Sequence, residues 1–289
     1  MSRRVRVGDV HLAVREWGSG PPLLLLHGFT GSGALWTALG TEFGRRYRTI
    51  AVDLLGHGNA DAPADPARYG MERCVADVAA LLDVLAVAPT AVLGYSMGGR
   101  VALALALAHP QRVTALVLEG ATPGIADPAE RLARVAHDAA LADRIERDGV
   151  AAFVDEWMRQ PLFASQQHLA PAARAAARAL RLANRPRGLA GALRGLGSAA
   201  QEPLWHRLHE LRLPTLLLAG EGDAKFRRLA DAMAQRLPDA TVRIVPHAGH
   251  ATHLENPAAF ARLVSDFLDD GGAAPSTTSS AQHRRTHDD

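Results

Sequence analysis

A serine, an acid and a histidine, in that chain order, are the residues of this sequence best suited to do chemistry together. The serine is Ser96, in Gly94-Tyr95-Ser96-Met97-Gly98-Gly99-Arg100. Thr90-Ala91-Val92-Leu93 before it reads as a buried strand, and Val101 to Ala108 after it reads as a buried helix. A G-x-S-x-G sequence at such a corner forms a tight turn that lifts the hydroxyl clear of the backbone. The glycines are needed because side chains there would strike the neighbouring strand and helix. The helix N-terminus behind the serine favours developing negative charge. A chance G-x-S-x-G is the plain alternative, and the flanking strand and helix argue against it.

A serine hydroxyl is a weak nucleophile or base until an imidazole takes its proton. The imidazole in turn needs a carboxylate to hold its tautomer. Two loops after later strands offer these partners, Gly220-Glu221-Gly222-Asp223-Ala224-Lys225-Phe226 and Pro246-His247-Ala248-Gly249-His250-Ala251-Thr252-His253. Asp223 and His250 complete the order. Glu221 and Glu119 compete as the acid, and His247 and His253 compete as the base. His247, His250 and His253 also spell H-x-x-H-x-x-H, which raises a metal site. That spacing matches no standard metal-binding helix, and Gly249 argues for a loop. Oxyanion donors are expected from the backbone N–H of Met97, after the serine, and of Phe29, in His27-Gly28-Phe29. His27 and Asp53 read as structural residues that tie loops together.

The elements that must position these groups alternate. Val5–Gly8 and Val10–Trp17 read as a hairpin. Leu23–Leu26, Arg48–Asp53, Thr90–Leu93, Val113–Leu118, Thr215–Gly220 and Thr241–Val245 read as strands. Helices are expected after the loop at residue 33, from Glu72 to Val87, after Ser96, from Phe226 to Leu237 and from Pro257 to Leu268. Continuous apolar strands alternating with helices mean a parallel sheet covered on both faces. From about Ile125 to Leu208 no buried strand is visible, only Ala- and Arg-rich helices divided by Gly149 and prolines. The expected division is a core over 1–120, a helical lid over 121–207, more core over 208–270 and a disordered tail over 271–289. No repeats of solenoid period are present.

Composition narrows the class. The chain has 289 residues, a net charge of +2 and 48% apolar residues, which suits a large core and gives no nucleic-acid footprint. Its single cysteine, Cys74, excludes an internal disulfide and a cysteine metal cluster. No apolar h-region or membrane-length run is present, so the expectation is a cytoplasmic protein without membrane partner, monomeric or a weak homo-oligomer.

With these residues in hand, the chain resembles the α/β-hydrolase superfamily over residues 1 to about 270. Within it, the chain is similar to the 2-succinyl-6-hydroxy-2,4-cyclohexadiene-1-carboxylate synthase family of menaquinone biosynthesis. LHGFTGSGALW, DLLGHG, GYSMGGRVAL, LEGATPGI, WMRQPLFAS, LRLANRP, GEGDAKF and HAGHATHLENP carry the likeness. QPLFAS, the arginine after the elbow and GDxKF are narrower than the generic motifs. The resemblance implies a lyase that eliminates pyruvate from a succinyl, carboxyl and enolpyruvyl cyclohexene, with no cofactor. Ser96 would act as a base and the oxyanion hole would hold an enolate. The alternative on the same fold is a hydrolase of small esters or carbon–carbon bonds, and a third reading is a binding member of the fold that performs no reaction.

A substrate with three carboxylates needs fixed cations, and the planar fork of arginine suits carboxylates. Arg100 follows Ser96 by one helical turn on the same face. By the resemblance, Arg134 and Arg181 are the arginines of the insertion that match substrate-binding positions, with Arg131 and Arg178 as competitors and solvated faces as the plain alternative. Tyr95, Trp157 and Lys225 are further substrate-binding candidates. Trp157 and Phe163 either wall the pocket or form the core of the insertion.

Overall fold

The computed structural model describes residues 2–272. The expected tail therefore lies almost wholly outside the described residues. The strands are Arg3–Val7 (β1), Val10–Trp17 (β2), Pro22–Leu26 (β3), Arg48–Asp53 (β4), Thr90–Tyr95 (β5), Val113–Glu119 (β6), Thr215–Gly220 (β7) and Ala240–Val245 (β8). They form one sheet in the order β1-β2-β4-β3-β5-β6-β7-β8. β2 is antiparallel to β1 and β4, and every other pairing is parallel.

The run Leu23–Leu26 shows why the strands read as unbroken apolar stretches. All four side chains are fully buried. Successive side chains point to opposite faces, so Leu24 and Leu26 join one core with Val92, Leu116 and Leu217. Leu23 and Leu25 join the other with Leu93, Val117 and Leu218. Helices Met71–Leu85 (α2) and Met97–Ala108 (α3) contribute Val78, Leu81, Val101 and Leu105 to the first core. Thr37–Phe43 (α1) and Pro257–Phe267 (α9) contribute Leu39, Phe43, Phe260 and Val264 to the second. Ala224–Ala234 (α7) covers β7 and β8.

The helical insertion leaves the sheet between β6 and β7. It holds Pro128–Trp157 (α4), Pro171–Leu182 (α5) and Pro186–Leu196 (α6). Each starts on a proline, whose missing N–H costs nothing at a first turn. α4 is broken at Gly149, where φ is 84°, a backbone region that other residues rarely enter. Leu141, Ile145, Phe153, Val154, Leu189 and Leu193 form a small core of its own.

Two local readings need correction. His253 lies on a short helix, Thr252–Glu255 (α8), and not in the loop with His250. The helix after residue 33 begins as a tight turn, Gly33–Trp36, before α1. A further tight turn, Pro66–Tyr69, had no sequence-based counterpart, although the side chain of Asp65 caps it.

Candidate active site

Ser96 sits at the corner between β5 and α3 with φ 51° and ψ −109°. A non-glycine residue at positive φ is strained, and such strain is held only where the surroundings over-determine it. Here the Ser96 N–H donates to the Glu119 carbonyl at 2.8 Å. A side chain at Gly94 would collide with the backbone of Gly98, and one at Gly98 with the backbone of Leu26 and His27. The glycines are thus required by close backbone approach, as the sequence argument expects.

β7 and β8 bring the other two groups to the same end of the sheet. Asp223 begins α7, where its Oδ1 accepts from the Phe226 N–H at 3.1 Å. Its Oδ2 lies 2.9 Å from His250 Nδ1. His250 Nε2 lies 3.2 Å from Ser96 Oγ. The carboxylate can only accept, so Nδ1 carries the proton and Nε2 is free to take one from the hydroxyl. Both partners are buried, and Phe226 covers the imidazole with ring centres 4.5 Å apart.

The competing groups go elsewhere. Glu119 is fully buried and accepts from Thr252 Oγ1 at 2.6 Å and from His253 Nδ1 at 2.8 Å. Glu221 is exposed and accepts from the His247 N–H at 2.9 Å. The three histidines of H-x-x-H-x-x-H therefore serve three different partners. Met97 opens α3, where a first-turn N–H has no intrahelical acceptor, and Phe29 lines the cavity beside Ser96. His27 accepts from the Leu54 N–H at 3.0 Å, and Asp53 accepts from the Gly33 and Asn59 N–H groups at 2.6 and 2.8 Å. Both tie loops together.

A cavity of about 720 Å³ opens beside Ser96 and His250. Phe29, Trp157, Leu193 and Leu196 wall it, and Arg100, Arg134 and Lys225 line it. Arg100 is buried, and no carboxylate of the described residues pairs with it. Its guanidinium donates to the Gln201 side-chain oxygen at 2.7 Å and to the carbonyls of Leu196 and Gly197. Burial, then the charge of Arg134, pull its pKa down to about 10, so it stays protonated at neutral pH. Arg134 donates through Nε to the buried Asp138 at 2.7 Å. Its competitor Arg131 pairs with Glu202 at the surface. Lys225 is exposed, over the Phe226 ring.

Arg181 does not reach this cavity. It lines a narrow cleft on the other side of Phe29, Trp157 and Leu162, where Ser96, Tyr95, His250 and His253 also contribute. Its guanidinium lies 5.5 Å from the Phe163 ring centre, and its Nε is buried without an acceptor. Burial lowers its pKa. Trp157 Nε1 is likewise buried and unpartnered. Arg178, the competitor of Arg181, pairs with Asp155. Tyr95 packs edge-on to His253, ring centres 4.6 Å apart.

Sequence reasoning passed over two buried amides. Asn184, inside LRLANRP, accepts from the Gly58 N–H at 3.0 Å and donates to the Thr30 carbonyl at 2.7 Å. It pins the insertion to two core loops. Gln201 holds Arg100. Only the motif around Asn184 gave any signal.

A family model for the alpha/beta hydrolase fold matches residues 21–257. The chain belongs to that family. A Bacillus subtilis (strain 168) protein, provisionally named a 2-succinyl-6-hydroxy-2,4-cyclohexadiene-1-carboxylate synthase, is 44% identical over 91% of this chain and 97% of its own length. A Klebsiella pneumoniae (strain 342) protein named for the same synthase is 37% identical over 89% of this chain and 97% of its own. Among solved structures, MenH from S. aureus superposes with a TM-score of 0.86 at 32% identity, over 90% of this chain and 98% of that one.

Proposed function

We propose that this alpha/beta hydrolase is a lyase that eliminates pyruvate from 2-succinyl-5-enolpyruvyl-6-hydroxy-3-cyclohexene-1-carboxylate, giving 2-succinyl-6-hydroxy-2,4-cyclohexadiene-1-carboxylate. The observation that carries this reading is Arg100, a buried cation beside Ser96 that no protein carboxylate neutralises. A buried charge is costly unless something compensates it, and a carboxylated substrate is the natural compensation. The relatives named for this synthase support the same substrate.

Ser96, with its proton drawn to His250 Nε2, removes the proton on the ring carbon next to the succinyl ketone. Asp223 holds the resulting imidazolium. The ketone oxygen becomes an enolate held by the N–H groups of Phe29 and Met97. Collapse of the enolate pushes electrons through the ring double bond and expels the enolpyruvyl oxygen. That group leaves as the enolate of pyruvate and takes up a proton. Arg100 and Arg134 bind carboxylates in the large cavity, Arg181 binds one in the cleft, and Tyr95, Trp157 and Lys225 complete the walls. The insertion, 121–207, acts as a lid on the core of 1–120 and 208–270. The enzyme works in the cytoplasm on a small molecule.

A coupled assay, with the preceding pathway enzyme supplying the unstable substrate, tests this by pyruvate release. Arg100→Ala is expected to lose about ten- to a hundredfold in kcat/KM, from one charge-assisted contact of roughly 1.5–3 kcal/mol, while turnover of a neutral ester is unchanged. Ester hydrolysis without pyruvate release would overturn the lyase in favour of a hydrolase.

A further inference from the structure

The acceptors around Arg100 are all neutral. Two are backbone carbonyls, those of Leu196 and Gly197 at the end of α6. The third is the Gln201 side-chain oxygen. The other end of that amide donates to the Pro123 carbonyl at 3.2 Å. Arginine can only donate and a carbonyl can only accept, so the amide has a single workable orientation. Gln201 is itself buried. It is therefore a rigid strut between the loop after β6 and the guanidinium.

We propose that Gln201 is a specificity-determining positioning residue: it orients Arg100 toward the Ser96 cavity and, being uncharged, adds no ion pair that would compete with a substrate carboxylate. A glutamate here would hold the guanidinium equally well but would form an internal ion pair. An apolar residue would leave the charge unspent but leave the guanidinium only the two α6 carbonyls to fix its direction. Only a neutral acceptor does both. Asp138 shows the contrast: it pairs directly with Arg134, while Arg100 feels it only at longer range. The proposal rests on the carboxylate-binding part of the reading above.

The test uses tricarballylate, a stable tricarboxylate, titrated calorimetrically into the full chain. Gln201→Met is expected to raise Kd about five- to tenfold in the wild-type background and to leave it unchanged in an Arg100→Met background. Gln201→Glu is expected to raise Kd more than tenfold while melting within a few degrees of wild type. On the enolpyruvyl substrate, both changes should appear mainly in KM, with kcat retained. An equal effect of Gln201→Met with and without Arg100 would overturn the proposal, because Gln201 would then act as mere packing. So would wild-type affinity in Gln201→Glu, or no binding of tricarballylate by the wild type. If Gln201→Met does not fold, Gln201→Glu decides, because it keeps an acceptor for Arg100. Coupled tricarballylate binding without pyruvate release would sink the lyase reading and leave this one standing.

Discussion

At the scale of single residues, the arrangement Ser96–His250–Asp223 predicts a unit that fails when any member is removed. Ser96→Ala and His250→Ala are each expected to lower kcat on the order of 10⁴-fold or more, because the hydroxyl and imidazole act on one proton. Asp223→Asn should be severe but milder, since it keeps a side chain at the start of α7 while removing the charge that stabilises the imidazolium. Pyruvate release by the three purified variants checks this, and near wild-type turnover in Ser96→Ala would refute it. These residues were legible because each lies in a short motif at the end of an apolar strand. Glu119 was harder to place. It ends β6 at a position suited to an acid serving His250, and it is removed by its contacts with Thr252 and His253 on α8 and by Asp223, which takes His250 Nδ1. Gln201 left no trace in the sequence because its role is made by partners far away along the chain.

At the scale of elements, α6 connects the insertion to the cavity. Its last carbonyls hold Arg100, and Leu193 and Leu196 wall the cavity. The helix is seated by small residues. A side chain at Gly188 would strike the backbone of Gly56, and side chains at Gly191 and Gly195 would strike Tyr69. Backbone cannot yield as a flexible side chain can. Gly188→Ala should therefore push α6 off the loop after β4, lower Tm by several degrees and raise KM at least tenfold. Thermal unfolding and the pyruvate assay check both, and wild-type KM would show that the seat of α6 does not set the cavity. Asn184→Ala should cost about 1–3 kcal/mol, because it strands the Gly58 N–H and the Thr30 carbonyl. Denaturant unfolding measures this cost, and a loss under 0.5 kcal/mol would refute the clamp. The strands and most helices were readable from apolar runs between breakers. The seat of α6 was not, because a glycine in a helix reads as a weak helix residue until its neighbour is known.

At the scale of the whole molecule, two buried histidines under the loops around Ser96 tie stability to pH. His27 and His57 are fully buried with ring centres 4.9 Å apart. Burial lowers the pKa of His27. Burial, then the charge of His27, brings His57 to about 3. His27 Nε2 accepts from the Leu54 N–H, so a proton there would replace a hydrogen bond with a collision of donors. Well above pH 6.5 neither the folded nor the unfolded histidines bind an extra proton, and this contribution to stability is complete. Below 6.5 the unfolded chain takes up protons that the folded chain refuses, so stability falls as pH falls. The loss is about 1.4 kcal/mol per pH unit for each proton refused. Between pH 6.5 and about 5.5 the carboxylates with lowered pKa, such as Glu16 and Asp61, stay ionised in both the folded and the unfolded chain, so the histidines act there without them. His57→Phe keeps the ring volume beside Phe29 and removes the titrating nitrogen. Its Tm should fall less steeply than that of the wild type over this window, even if its stability at pH 7.5 is lower. A wild-type Tm that stays level from pH 7.5 to about 5.5, or equal slopes for the two proteins over that range, would show that this buried pair does not tie the stability of the fold to pH.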